Sequence, residues 1–237
     1  MKKPGRFLTA EWRYLLMLNY AVNPALLKRF VPNGTELDEF EGKSYLSLVG
    51  FEFNRSHVLG VKVPLHQSFE EVNLRFYVRR SSKRGVVFIR ELVPKSAVAA
   101  IARFAFGENY SRVPMSHRIE AGSDGGLSVE YNWGRGHRRC SMQIETERSG
   151  VLPSDGSESQ FITEHYWGYA AQPGGGCLEY EVQHPRWLVR AAKRAAFTGN
   201  PVDSYDAELS TTLLRSPDSA FLAEGSEVTV MKGTKIG

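Results

Sequence analysis

The chain has 237 residues, of which 42% are hydrophobic and 24% charged, with a net charge of +4. These are ordinary proportions for a globular protein with a substantial core, and no apolar run approaches the ~20 residues that a membrane-spanning helix needs. The opening "MKKPGRFLTAEWRY" starts with two lysines, but Pro4, Gly5, Arg6 and Glu11 interrupt any apolar signal region, so the expected compartment is the cytoplasm.

In chain order, "EWRYLLMLNYAV" (11–22) reads as a strand, followed by a short helix capped by Asn23 with Pro24 in its first turn. "TELDEFEGKSYLSLVGFEFN" holds two strands turning at "EGK", and "SHVLGVKVPLHQS" is irregular. "FEEVNLRFYVRR" (69–80) and "VVFIRELV" form a hairpin across "SSKRG", and "PKSAVAAIARFAFG" (94–107) is a helix stopped by Gly107. Short strands follow in "YSRVPMSHRIE", "GLSVEYNWG" and "CSMQIETER", and 149–160 reads as a surface loop. "FITEHYWGYAAQPGGGCLEYEVQHP" is a hairpin turning at Gly174 to Gly176. "RWLVRAAKRAAF" reads as an amphipathic helix with Leu188, Ala191, Ala192 and Ala195 inward, and "SEVTVM" as a last strand. The expectation is one α+β domain over 1–237, with about three helices and a mainly antiparallel sheet that covers its edges or closes on itself.

No dinucleotide, Walker, serine-hydrolase or kinase signature occurs. Cys140 and Cys177 form no CxxC pair, and His137 with Cys140 falls short of the four ligands of structural zinc, so neither metal nor cofactor is expected. Basic clusters at Arg79, Arg80, Lys83 and Arg84, at Arg135, Arg138 and Arg139, and at Arg186, Arg190, Lys193 and Arg194 suit solvated turns or faces better than a nucleic-acid surface.

The stretch 69–80 alternates strictly. Val72, Leu74, Phe76 and Val78 make one face, and Glu71, Asn73, Arg75, Tyr77 and Arg79 the other. The apolar face belongs to the core; the polar face is either solvated or a pocket wall. If Phe76 and Val78 share a face with Val87 and Ile89, then Val86, Phe88 and Arg90 join Arg75 and Tyr77, a mixture suited to a small anion. A register slip of one residue turns the same face to the surface.

Several segments in order, "LNYAVNPALLKRFVPNGTELDEFEGKSYLSLVGFEF", "EEVNLRFYVRR", "FGENYSRVPMSH" and "FITEHYWGYA" with "YEVQHPRWL", resemble the YqjF-like family of conserved bacterial proteins of unknown function. That family is similar to the acetoacetate decarboxylase superfamily, which implies a closed, mainly antiparallel β-barrel with a few helices and an internal pocket. The superfamily's Schiff-base lysine lies in a G-F-P-K-K-like segment. Here Pro114 matches, but Met115 and Ser116 occupy the lysine positions, and neither forms an imine. Ala21 stands where the decarboxylases carry an arginine, while Glu71 matches their glutamate. Lys62, flanked by Val61 and Val63, is the one lysine in an apolar setting. Acetoacetate-type decarboxylation is therefore not expected.

The resemblance places the "ENYSRVPMSH" segment beside the pocket. The expected ligand-binding set is Glu71, Asn73, Arg75, Tyr77, Arg90, Tyr110, Met115 and His117, with Glu71 the candidate catalytic base. Alternation along "TEHYWGY" puts His165, Trp167 and Tyr169 on one face, and His165 or His184 is a lesser catalytic candidate. The leading reading is a pocket that binds a small organic acid or carbonyl compound without covalent catalysis. The second is an enzyme with Glu71 as base and Arg75 or Arg90 as anion clamp, and the third a basic surface for nucleic acid or a protein partner. Self-association is left open.

Overall fold

In a computed structural model of the chain, residues 4–62, 68–95, 107 and 109–236 are described. The elements run β1 (Arg6–Val22), α1 (Pro24–Lys28), β2 (Glu36–Leu37), β3 (Ser44–Val58), β4 (Val61–Lys62), β5 (Phe69–Arg80), β6 (Lys83–Val93) and β7 (Tyr110–Arg112). They continue with β8 (Met115–Ala121), β9 (Leu127–Trp133), β10 (Cys140–Thr146), α2 (Glu158–Thr163), β11 (Trp167–Ala171), β12 (Cys177–Gln183), β13 (Val189–Gly199), α3 (Ala207–Leu213), β14 (Ser219–Met231) and β15 (Thr234–Ile236). The helix expected over 94–107 lies outside the described residues except at its ends.

Strands β1, β3, β5, β6, β11, β12 and β14 join in that order, and β14 pairs back onto β1, so the sheet closes into a ring. Its pairings are antiparallel apart from the short β6–β11 contact. A second sheet, β8–β9–β10–β13, lies against the ring and is continuous with it where β13 pairs with β14. Closure leaves fewer raw edges than an open sheet of this size.

This layering explains the alternation of β5. Val72, Leu74, Phe76 and Val78 pack with Leu16, Leu18, Leu46 and Leu48 against Tyr131, Met142 and Ile144 of the second sheet. The opposite faces, carrying Leu15 and Met17 of β1, Tyr45, Val49 and Phe51 of β3 and Tyr77 of β5, turn inward and pack with Phe161, Ile162 and Phe221. Both faces of β5 are thus enclosed, one between sheets and one inside the ring.

The two layers come very close at Gly50. A Cβ there would lie 2.7 Å from the Tyr131 ring and 2.9 Å from Met142 Sδ. Gly50→Ala is expected to cost about 1–3 kcal/mol through forced repacking. Urea denaturation checks this, and an unchanged midpoint would mean that the layers yield freely.

The segment 186–197 corrects the helical expectation: residues 189–199 are strand β13, paired along β10 from Cys140↔Gly199 to Thr146↔Ala192 and with β14 at its start. Its alanines favour a helix, but an amphipathic helix of a dozen residues is marginal alone. As a strand it supplies the pairing that joins the two sheets, and tertiary context overrides propensity. Two short helices fall where none was expected. Ser157 caps α2 by accepting from Gln160 N, and Asp206 caps α3 by accepting from Leu209 N.

Candidate functional site

The inward face of β5 is polar and deeply buried. Glu71 and Asn73 are 2% exposed, Arg75 8% and Tyr77 1%. A polar strand face is tolerated inside a fold only where its groups find partners or serve a ligand. At one end, Glu71 accepts from Asn73 Nδ2 at 3.0 Å and from the Tyr110 hydroxyl at 3.3 Å. The bond to Glu71 also fixes the Asn73 amide, because a carboxylate accepts from its NH2 group. Asn73 Oδ1 then faces away, buried and without a partner. Glu91, also buried, sits opposite Asn73 in the register.

At the other end, the Tyr77 hydroxyl donates to Ser47 Oγ at 2.8 Å, and Ser47 donates to Asn19 Oδ1 at 2.7 Å. Asn19 donates to Ser219, which reaches Glu158, and Tyr45 donates to the same carboxylate. This chain ties β1, β3, β5 and β14 to α2 and commits the Tyr77 hydroxyl to the scaffold.

Arg75 lies between the two ends. Among the described residues its Nη2 reaches only the Ile162 carbonyl at 3.4 Å and Met17 Sδ at 3.9 Å, its guanidinium carbon is 5.7 Å from the Tyr77 ring centre, and Nε has no partner. Among the described residues no carboxylate pairs with it. A guanidinium this deep is costly without a counter-charge.

His165 packs against Tyr77 at 4.6 Å between ring centres and against Phe161 edge-on. Burial pushes its imidazole down to about 4, opposed by the Asp38 hydrogen bond, so the ring is neutral at pH 7. Nε2 points to Asp38 Oδ2 at 3.4 Å, and Nδ1 is left buried without a partner. Burial alone would raise Asp38, but hydrogen bonds from His165 and from Arg84 Nε, at 2.7 Å, outweigh this and leave its carboxyl below the usual value.

The structure brings Glu71, Asn73, Arg75, Tyr77 and Tyr110 together and separates Arg90, Met115 and His117 from them. The register slips between Leu74 and Arg75: Arg75 pairs with Phe88, but Leu74 pairs with Arg90. This bulge turns Arg90 to the outer face, where Nη1 donates to Ser111 Oγ at 2.8 Å. Glu91 takes the inward position instead. Met115 packs between the sheets, and His117 holds the second sheet to the ring through Glu52 at 2.7 Å and Glu70 at 2.8 Å. His165 and Tyr169 do not share a face. Residues 158–163 are helical, and Tyr169 joins the core between the sheets while His165 joins Tyr77. His184 stacks on Trp187 at 4.0 Å between ring centres, and its imidazole is lowered by burial.

No described lysine is buried, and Lys62 is exposed in β4. Cys140 and Cys177 are buried free thiols that burial raises to about 11. Among the described residues no cluster of three His, Cys, Asp or Glu side chains is arranged for a metal, and no helix is long and apolar enough to cross a membrane.

A ring of this topology with a polar inner face is the acetoacetate decarboxylase-like fold. The chain superposes on an acetoacetate decarboxylase-like enzyme from Sphingomonas wittichii RW1 with a TM-score of 0.72 and 12% identity, covering 97% of this chain and 92% of that one. It also superposes on the enduracididine biosynthesis enzyme MppR complexed with pyruvate (TM-score 0.71, 14% identity, 100% and 92% covered). The acetoacetate decarboxylase from Legionella pneumophila subsp. pneumophila str. Philadelphia 1 is similar too (TM-score 0.70, 12% identity, 100% and 90% covered). At these identities the likeness establishes the fold. Within that fold the chain belongs to the DUF2071 family of uncharacterized conserved proteins, whose model matches residues 9–227. It is 33% identical over 206 residues to the uncharacterized protein YqjF of Bacillus subtilis (strain 168), which spans 84% of this chain and 81% of that one.

Proposed function

We propose that the inside of the ring binds a small organic acid or carbonyl compound, with the ligand's anionic group held by Arg75. The observation that carries this reading is the buried guanidinium, which among the described residues has an unpartnered Nε and no carboxylate against it. Arginine's fork offers paired donors to a carboxylate, and a ligand anion would supply the missing counter-charge. Pyruvate, found with MppR, belongs to this class. Imine chemistry is not part of the reading, since the resemblance sets Met115 and Ser116 where the decarboxylases carry their lysine, and no described lysine is buried. The reading places the protein in the cytoplasm, where two buried reduced thiols are at home. The basic clusters lend little to a nucleic-acid surface. Arg79, Arg84, Arg138, Arg186, Arg190 and Lys193 each pair with a carboxylate.

The test is ligand-induced stabilisation. Small carboxylates raise the melting temperature in proportion to RT ln(1 + [L]/Kd), while amides of the same skeletons do not. A panel of two- to six-carbon acids that leaves the melting temperature unmoved contradicts the reading.

Glu71 favours a second reading, acid–base chemistry on the bound acid. Its carboxylate is buried beside the proposed ligand and oriented by Asn73 and Tyr110. Glu71→Gln then keeps ligand affinity within about threefold and lowers turnover by about 100-fold or more, the usual scale for a lost general base. Wild-type protein that turns over no member of a keto-acid and hydroxy-acid panel leaves the binding function alone standing.

A further inference from the structure

The second sheet ends on β8, which pairs with β9 along one side and, among the described residues, with no strand along the other. Met115–Ala121 has no bulge in that pairing and no proline inside it, so two common protections of a free edge are missing. The register decides which main-chain groups face outward. At the two ends of the ladder, Gly134 N donates to the Pro114 carbonyl at 3.0 Å and Gly122 N to the Gly126 carbonyl at 2.9 Å. Both mark the even positions as the hydrogen-bonded pairs, and such pairs alternate along an antiparallel ladder. Ser116, Arg118 and Glu120 therefore turn their N–H and C=O groups to β9. His117, Ile119 and Ala121 turn theirs to the free side.

The side chains give this edge a charge pattern that fits itself. Met115 and Ile119 pack into the core between the sheets, and His117 reaches Glu52 and Glu70 of the ring. The other face carries Arg118 and Glu120, whose side chains are 66% and 59% exposed. Arg118 stands 3.8 Å from Glu120 and 3.9 Å from Glu130, open to water, where such contacts add little. Laying a second β8 antiparallel along the free side, with Ile119 opposite its own counterpart, sets each Arg118 opposite the partner's Glu120. These two sites fall between hydrogen-bonded pairs, where facing side chains come closest. His117 then bonds with the partner's Ala121, and the edge gains about six main-chain bonds. The neighbouring registers are poorer. Centring on Arg118 sets two arginines face to face, centring on Glu120 two carboxylates, and centring on His117 leaves Arg118 opposite Ser116.

We propose that two copies of this chain join edge to edge through β8, about a two-fold axis at Ile119, so that their second sheets run on as one. The self-fitting charges select a second copy over any other extended segment. The proposal does not depend on the acid-binding reading. An interface of one strand edge is small, so the dimer forms and dissociates with concentration.

Sedimentation equilibrium of the full chain over a range of concentrations is the test. Expected is an average mass that rises from 26.6 kDa towards twice that value as the protein is concentrated. Arg118→Glu or Glu120→Arg alone sets like charges face to face at both sites and weakens association by about tenfold or more. The two substitutions together restore opposite charges, and with them association to within about threefold of wild type. Both side chains are exposed, so the variants keep the urea midpoint of the wild type. A mass that stays at 26.6 kDa at every concentration overturns the proposal. So does a dimer that the single reversals leave intact or that the double reversal fails to restore.

Discussion

Arg75→Met is expected to abolish acid binding, by about 100-fold or more, while costing no more than about 1 kcal/mol of stability. The two halves of this result come from the same geometry. An anion held by a buried guanidinium loses a charge-assisted, desolvated partner, and such truncations typically cost about 2–5 kcal/mol of binding. The folded chain without ligand loses little. Arg75 donates to one carbonyl at 3.4 Å, touches a thioether and stacks on Tyr77, and it pairs with no described carboxylate. Methionine replaces much of its volume without the desolvation cost of a buried cation, a kind of exchange that is often neutral or stabilising. Ligand titration and urea denaturation of the same preparation check both halves. A stability loss above about 2 kcal/mol with intact binding would make Arg75 a structural cation instead.

The second large effect is a loss of stability on mild acidification. His165 has a folded-state value of about 4 against 6.5 for a free imidazole, because burial opposes its charged form. Between these values the unfolded chain takes up a proton that the folded chain refuses. Stability is therefore fully present above pH 6.5, falls as the pH drops towards 4, and levels off below that as far as this residue is concerned. The difference corresponds to about 3 kcal/mol. Asp38 acts in a separate window: its carboxyl lies below the usual 3.8, so its contribution is lost only as the pH falls below that value. Urea midpoints of wild type and His165→Gln at pH 7, 5.5 and 4.5 separate the two, since the substitution flattens the dependence above pH 4. An equal slope in the variant would assign the acid sensitivity to other groups.

The strand pattern of β5, its hairpin partner and the capped helix after Asn23 were legible because each depends on local signals: a period of two, turn residues, an N-cap. The register was not. The bulge that moves Arg90 outward and Glu91 inward arises from fitting β6 between β5, β7 and β11 in a closed sheet, and no residue between Phe88 and Glu91 announces it. The strand at 189–199 was hidden by alanines, whose helical preference is outweighed by pairing with β10 and β14. Helix α2 did leave a signal in Ser157 and Gln160, spaced as a capping box, but it lay in a stretch whose low hydrophobicity favoured a loop. In the site, Glu71, Asn73, Arg75 and Tyr77 could be grouped because they share one strand face. The Asp38–His165 pair and the Asn19–Ser47–Ser219 chain join residues far apart in sequence, and only the folded ring brings them together. His117 was misplaced for the same reason: its partners Glu52 and Glu70 lie on the outer face of the strands whose inner face forms the site.

A small acid held against Arg75 inside the ring is the expectation on which the rest depends. Its most direct test is mass analysis of the small molecules released on denaturing purified wild-type protein and Arg75→Met prepared in parallel. The expected result is a small carboxylic acid released by the wild type and missing from the variant. An equal release from both, or a ligand without an acidic group, would contradict it.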